Sequence, residues 1–139
     1  MRRLAVDTNI VITWLGLQSK ELQPKSKLLF DKLAAGELEL VSPEFLLVEL
    51  VNVLRWRCGL NKKGVAESVR LVMRSGIKFV QVGRNATDKI ANLVFKHDLT
   101  AYDSLFLHVA EREKCKLVTS DPKLLEVKEW CVGLGEVDL

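Results

Sequence analysis

Apolar and polar positions follow two different periods along this chain, and together they predict strands separated by helices. Short apolar or alternating runs predict strands at residues 4–6, 38–41, 79–82 and 117–119, with a weaker strand from residue 132 onward. Helical spacing and suitable end residues predict helices at residues 10–17, 26–35, 43–58, 63–75, 87–96, 100–114 and 122–127. The polar residues 18–25 are predicted to form a loop. This alternation is typical of an α/β fold, so we expect a three-layer α/β/α sandwich with a central, mostly parallel sheet.

The length and composition of the chain fit one domain that spans residues 1–139. Hydrophobic residues make up 48% of the sequence, but no apolar run approaches the roughly 20 residues that cross a membrane. The N-terminus shows no secretory signal. The three cysteines are widely spaced, which argues against a disulfide framework or a zinc site and favours free thiols. These features predict a cytoplasmic protein without a membrane segment.

The net charge of +3 is small, but the basic residues are concentrated in one part of the chain. Residues 55–84 contain eight basic side chains and a single acid, Glu67. Such a segment favours binding to a polyanion such as nucleic acid. Arg55, Lys62 and Lys63 are its candidate substrate-binding residues. The alternatives are an ordinary solvated helix surface or a docking face for an acidic protein.

Carboxylates follow two of the predicted strands: Asp7 ends the first strand and Asp121 follows the fourth. The carboxyl ends of parallel strands meet at one edge of a sheet, which is where ligands bind. Asp103 begins a helix that we expect to pack near this edge. Glu49 lies in the helix at residues 43–58, which is apolar on nearly every face and is therefore predicted to be buried. A buried carboxylate is paired, neutralised or bound to a metal.

The convergence of these acids predicts a metal site, because carboxylates gathered on one edge repel unless a divalent cation lies among them. Oxygen ligands without a nearby His or Cys suit Mg²⁺ or Mn²⁺. A cation held by carboxylates beside a basic surface is a setting for phosphodiester hydrolysis. In that chemistry the metal activates a water molecule and stabilises the attacking and leaving oxygens.

Each acid also has a purely structural explanation, which the residues alone leave open. Asp7 and Asp121 are favoured N-cap types that precede predicted helices. Asp103 stands three residues after a threonine, which is the spacing of a capping box. For Glu49 the alternative is an internal ion pair with a neighbouring arginine such as Arg55.

Other functional classes lack support in the sequence. No Gly-rich loop follows the first strand, which argues against dinucleotide and P-loop binding, and no Gly-x-Ser-x-Gly motif is present. His97 and His108 lack the spacing of a zinc or triad site, and the three tryptophans are expected in the core. A phosphotransfer receiver domain needs a pair of acids at the end of its first strand, where Asp7 has no acidic neighbour.

Four segments of the chain resemble the motifs of the PIN domain family, in particular those of the small toxin nucleases of the VapC type. They are Leu-Ala-Val-Asp-Thr-Asn at residues 4–9, Ser-Pro-Glu-Phe-Leu-Leu-Val-Glu-Leu-Val-Asn at 42–52, Leu-Thr-Ala-Tyr-Asp-Ser at 99–104 and Leu-Val-Thr-Ser-Asp at 117–121. Each motif is short, but all four occur in order and extend over nearly the whole chain. The resemblance implies the same sandwich of parallel strands between helices.

The resemblance also implies an activity and a set of site residues. The implied activity is an Mg²⁺- or Mn²⁺-dependent endoribonuclease, the toxin of a type II toxin–antitoxin pair. Such proteins commonly form homodimers and are held inactive by a small antitoxin protein. The alternative is a PIN-like module that binds RNA or a partner protein without catalysis. The implied site consists of the metal ligands Asp7, Glu49 and Asp103, of Asp121, which completes the acidic site, and of Thr119, which supports it by hydrogen bonding.

Overall fold

A computed structural model describes all residues from 1 to 139 and places five strands in one sheet. The strands are β1 (Arg2–Val6), β2 (Leu38–Pro43), β3 (Lys78–Val80), β4 (Lys116–Thr119) and β5 (Cys131–Gly133). Their order across the sheet is β3-β2-β1-β4-β5, and every neighbouring pair is parallel. The prediction of a mostly parallel central sheet is therefore confirmed.

Helices flank the sheet and complete the predicted α/β/α sandwich. They are α1 (Thr8–Trp14), α2 (Gln23–Ala34), α3 (Phe45–Trp56), α4 (Lys62–Met73), α5 (Thr87–His97), α6 (Ala101–Arg112) and α7 (Pro122–Leu125). Single 3₁₀ turns occur at Lys20–Leu22 and Arg84–Ala86. None of the helices combines the length and the apolar character that a membrane crossing requires.

The central position of β1 follows from its apolar sequence. Leu4, Ala5 and Val6 are all buried, and β1 pairs with β2 on one side and β4 on the other. A strand that is covered on both faces is a continuous apolar run rather than an alternating one. Because β1 is the middle strand, Asp7 emerges at the middle of the carboxyl edge of the sheet.

Several predicted boundaries were wrong; helix α1, for example, ends at Trp14 and not at residue 17. Helix α2 begins at Gln23, so the last three residues of the predicted loop at residues 18–25 are helical. Pro24 lies in the first turn of this helix, where its missing N–H needs no partner within the helix. Ser42 and Pro43 extend β2 and do not start the next helix. The Ser42 hydroxyl donates a hydrogen bond of 2.9 Å to the carbonyl oxygen of Val6 in the neighbouring strand.

The prediction that the helix at residues 43–58 is buried on nearly every face was also wrong. In α3 only the stripe Leu46, Leu50 and Leu54 is fully buried. Val51 and Trp56 are 44% and 74% exposed, so Trp56 is not a core residue either. A helix of the outer layer turns only one stripe toward the sheet. The second apolar face of α3 is left on the surface.

Candidate functional site

The four predicted acids lie near the carboxyl edge of the sheet, close enough for their charges to affect one another. Asp7 directly follows β1, Asp121 follows β4, Asp103 lies in the first turn of α6, and Glu49 lies in the middle of α3. Their charges act on one another: Asp103 and Asp121 both raise the pKa of Asp7. Asp121 and Glu49 likewise raise the pKa of Asp103. The fold thus joins residues that are up to 114 positions apart (Asp7 to Asp121) in the sequence.

Asp7 is the most deeply buried of these acids, with only 5% of its surface exposed. Its Oδ1 accepts a hydrogen bond of 3.2 Å from the backbone N–H of Ile10, which caps α1. Its Oδ2 accepts one of 2.5 Å from the Thr119 hydroxyl. Burial raises the pKa of Asp7 to about 7, against the opposing effect of these two hydrogen bonds. The capping role is real but occupies one oxygen only, so it does not exclude a second role.

Thr119 connects two of the acids. Its hydroxyl donates to Asp7 and accepts a hydrogen bond of 3.0 Å from the backbone N–H of Asp121. Asp121 in turn caps α7, since its Oδ1 accepts a hydrogen bond of 2.8 Å from the N–H of Lys123. The end of β4 is thereby fixed against the end of β1. The structure contains the kind of supporting hydrogen bond that the resemblance implied for Thr119.

Asp103 is held at the start of α6 by half of the predicted capping box. The hydroxyl of Thr100 accepts a hydrogen bond of 3.1 Å from the backbone N–H of Asp103. Partial burial is the main cause that raises the pKa of Asp103, followed by the charges of Asp121 and Glu49. Hydrogen bonding with Thr100 acts in the opposite direction. The carboxyl group therefore lies in a half-buried, negatively charged setting.

Glu49 is positioned by a residue that the sequence did not identify as part of the site. The hydroxyl of the buried Thr8 donates a hydrogen bond of 2.5 Å to Oε1 of Glu49. The alternative ion pair with Arg55 is absent, because the guanidinium of Arg55 lies 4.8 Å above the ring of Trp56. Thr8 directly follows Asp7 in the first motif, and this adjacency was the only signal for its role.

The negative charge of the site is not compensated by basic side chains. All ion pairs in the structure involve other acids, namely Glu37, Glu39, Asp98 and Glu113. In this side-chain arrangement no three His, Cys, Asp or Glu residues are grouped as a ready-made metal site. Carboxylates without a cation between them repel, so binding of a cation would draw them together. The donor set, which consists of oxygens only, fits Mg²⁺ or Mn²⁺.

The predicted substrate-binding residues lie on the α3–α4 pair. Arg55 is in the last turn of α3, and Lys62 and Lys63 form the first turn of α4. Arg55 and Lys62 line an open groove of about 820 Å³, which we call the α3–α4 groove. Its floor is apolar and its rim is basic; the lining residues are Val51, Val65, Ala66 and Val69 together with Arg55, Asn61, Lys62 and Arg70.

A basic residue outside the predicted set contacts the first motif instead. Arg57 Nη2 donates hydrogen bonds of 2.9 Å to Oδ1 of Asn9 and 2.8 Å to Oε1 of Gln18. Gln18 also donates one of 3.2 Å to the carbonyl oxygen of Asn9. The basic segment is thus attached to the acidic edge through Arg57. Charge counting along the sequence did not distinguish this arginine from its neighbours.

Comparison with known families gives one match that covers most of the chain. The model of the PIN domain family matches residues 4–129. A search of curated protein sequences found no match.

Solved structures share the fold at low sequence identity. PAE2754 from Pyrobaculum aerophilum is 20% identical with a TM-score of 0.66, and the alignment covers 96% of this chain and 92% of that one. A toxin-antitoxin complex from Klebsiella pneumoniae contains a chain that is 14% identical, with a TM-score of 0.67 and coverage of 96% and 99%. VapBC2 from Rickettsia felis, bound to a DNA fragment from their promoter, gives 16% identity, a TM-score of 0.68 and coverage of 94% and 98%.

Proposed function

The chain belongs to the PIN domain family, and we propose that it is an Mg²⁺- or Mn²⁺-dependent endoribonuclease, the VapC-type toxin of a type II toxin–antitoxin pair. The observation that carries the proposal is the grouping of Asp7, Glu49, Asp103 and Asp121 without an ion pair to any basic side chain. A buried carboxyl whose pKa is raised to about 7 is an unfavourable group to keep in a core. Such groups concentrate at functional sites.

In this mechanism Asp7, Glu49 and Asp103 would hold the cation, and Asp121 would complete the acidic site. When bound, the cation lowers the pKa of a water molecule and stabilises the attacking and leaving oxygens of the phosphodiester. Thr119 orients Oδ2 of Asp7, and Thr8 orients Oε1 of Glu49. Hydrogen bonds of this type fix the direction of ligand lone pairs. To become a ligand Asp7 would have to lose its proton; burial, which raises its pKa to about 7, opposes this loss, and the positive charge of a cation would favour it.

The toxin part of the proposal is supported by the neighbours, one of which is described as part of a toxin-antitoxin complex. The α3–α4 groove is the surface that we assign to the antitoxin. Its apolar floor suits the apolar side of a partner helix, and its rim of Arg55, Lys62 and Arg70 suits acidic side chains. We therefore propose an acidic, amphipathic antitoxin segment as the occupant, in a cytoplasmic complex. The alternative occupant of the groove is a second copy of this chain, which would form a homodimer. The variant that tests the antitoxin contact also tests this homodimer.

A cleavage assay tests the nuclease directly. The purified chain is incubated with end-labelled RNA in Mg²⁺, in Mn²⁺ and in EDTA, beside Asp7→Asn and the control Asp31→Asn, which removes an exposed acid from α2. We expect metal-dependent products from the parent and from Asp31→Asn but none from Asp7→Asn. RNA affinity without metal-dependent products would instead favour the non-catalytic binding module.

A further inference from the structure

An exposed aromatic ring lies beside the acidic cluster. Tyr102 immediately precedes Asp103 in the first turn of α6, and 61% of its surface is exposed. One face of its ring is stacked on Phe45, with ring centroids 5.5 Å apart and an angle of 12° between the planes. Phe45 in turn meets the buried Phe106 edge-on at 6.4 Å. The Tyr102 ring is therefore supported from the core and open to solvent.

The aromatic pair and two of the acids lie on the same two helices. On α3, Phe45 and Glu49 are separated by one helical turn and share a face, with Cβ atoms about 5–6 Å apart. On α6, Tyr102 and Asp103 are consecutive. Each of the two helices thus carries one aromatic and one acidic side chain in its N-terminal half. The exposed face of the Tyr102 ring is therefore a planar apolar surface close to a group of negative charges.

Space for a ligand continues beyond the ring pair. A cleft of about 490 Å³ borders Phe45 and extends to Gly83 and Arg84. Arg84 is exposed and forms no ion pair. A strand of nucleic acid that passed over the Tyr102–Phe45 ring pair and along this cleft would meet the guanidinium of Arg84, a group that can pair with a phosphate.

We propose that Tyr102 is a stacking platform for one base of single-stranded RNA, next to the phosphodiester held at the acids. This inference rests on the proposed function, and it narrows the substrate to RNA whose bases are unpaired. Aromatic side chains accept any base by stacking, but only a base that is free of its helix can reach the ring. Tyr102 is a positioning residue in this scheme, because it holds the strand and does not contact the cation.

The competing explanation is that Tyr102 only covers Phe45 at the α3–α6 junction. Two variants separate these roles. Tyr102→Phe keeps the ring, whereas Tyr102→Leu keeps an apolar cover of Phe45 but removes the π face. Phe95→Leu is the matched control, because Phe95 is 88% exposed on α5 and has no aromatic neighbour in the structure.

The experiment uses a short single-stranded RNA that carries one 2-aminopurine, moved from position to position, with Ca²⁺ in place of Mg²⁺. Stacking on an aromatic ring quenches 2-aminopurine fluorescence. We expect a quench at one position with the parent, Tyr102→Phe and Phe95→Leu. Tyr102→Leu should lose this quench and bind roughly 5- to 150-fold more weakly, as expected for one base–aromatic stack. Its salt dependence should be unchanged, because no phosphate contact is lost.

The outcomes separate this inference from the nuclease proposal. Parental affinity and quench in Tyr102→Leu overturn the platform even if the parent cuts RNA. An equal loss in Tyr102→Phe and Tyr102→Leu also overturns it, since the hydroxyl would then be the contact. A Tyr102-dependent quench without any cleavage in Mg²⁺ or Mn²⁺ supports the platform and contradicts the nuclease. A parent that binds no RNA overturns both.

Discussion

The Thr8 hydroxyl donates a 2.5 Å hydrogen bond to Oε1 of Glu49 and thereby connects α1 to α3 across the acidic site. The preceding residue, Asp7, is itself one of the acids. Of the two residues that follow β1, Asp7 contributes its own carboxyl group and Thr8 positions that of Glu49 by a hydrogen bond. Glu49 has no basic partner, so Thr8 is its only protein contact through a hydrogen bond.

Thr8→Val should weaken metal binding more than it weakens the fold. Valine has nearly the shape of threonine and fills the buried position, but it leaves Oε1 of Glu49 without its donor. Loss of a group that orients a metal ligand typically costs about 10- to 100-fold in metal affinity. Thr8→Ser retains the hydroxyl and serves as the control. A Mn²⁺ titration monitored by calorimetry measures the effect, and equal affinities for Thr8→Val and the parent would remove Thr8 from the site.

Added Mg²⁺ or Mn²⁺ should raise the melting temperature of the parent. A ligand that binds only the folded state stabilises it by about 2.7 kcal/mol at a hundredfold excess over its dissociation constant. For a chain of this size that is a shift of the order of 5–10 °C. Asp7→Asn keeps the cap of α1 and removes one ligand charge, so its shift should be much smaller. NaCl at equal ionic strength is the control, and an unchanged parental melting temperature in millimolar metal would contradict the site.

His108 should make the fold sensitive to acid. It is buried on α6, its Nε2 has no hydrogen-bond partner, and burial lowers its pKa, with smaller effects from Arg112 and Lys89. Since the folded pKa lies below the unfolded value, the unfolded chain takes up the proton first. The stabilising contribution of neutral His108 is fully present above the ordinary histidine pKa of 6.5 and is lost as the pH falls from there through the lower folded pKa.

The measurement for His108 is urea unfolding at several pH values between neutral and mildly acidic. The free energy of unfolding of His108→Gln should fall less steeply toward low pH than that of the parent. Because the pKa of Asp7 is raised, Asp7 makes the free energy of unfolding change with pH in the opposite direction. This contribution is the same in the parent and in His108→Gln, so it cancels when the two proteins are compared. His97→Gln, a change at a partly exposed position, is the control. Parallel curves for parent and His108→Gln would show that His108 does not titrate in this range.

Val51→Asp should abolish binding of the antitoxin and leave RNA cleavage intact. Val51 lines the α3–α4 groove, so a carboxylate there opposes both the apolar contact and an acidic partner. The probe is the product of a short open reading frame next to the gene for this chain, tested as an inhibitor of cleavage; if no such gene exists, the toxin part of the proposal fails. Leu28→Asp, an exposed apolar position on α2, is the control. If the small protein still inhibits Val51→Asp, the antitoxin does not occupy the α3–α4 groove. If Val51→Asp loses the dimer but is still inhibited, the groove is the dimer interface.

Replacing Lys62 and Lys63 by glutamine distinguishes the two interpretations of the basic segment. If these lysines contact RNA phosphates, RNA binding should weaken and its salt dependence should flatten. Turnover at saturating RNA should then change less than apparent affinity. Because Lys62 lines the α3–α4 groove, we expect the other outcome, in which RNA binding is retained and inhibition by the antitoxin weakens. A salt titration of RNA binding at fixed metal concentration is the deciding measurement.

Much of the fold follows from local pattern. Apolar runs such as Leu4–Val6 and Leu117–Thr119 are too short for helices and too continuous for exposed strands, so they predicted buried parallel strands. Since parallel strands end at one edge, the order of motifs along the chain was enough to bring Asp7 and Asp121 to the same place. Thr100 likewise predicted the start of α6 and therefore the position of Asp103.

Only the tertiary structure decided which side of each element faces the core. Helix α3 is apolar on two faces, and periodicity within one helix does not say which face a neighbour covers, so the exposure of Val51 and Trp56 was not predictable. The partner of Glu49 was undetermined for the same reason: Arg55 is close in sequence, whereas Thr8 is close in space. Sequence patterns record the preferences of single elements, but contacts between elements depend on how α1, α3 and α6 pack around the end of β1.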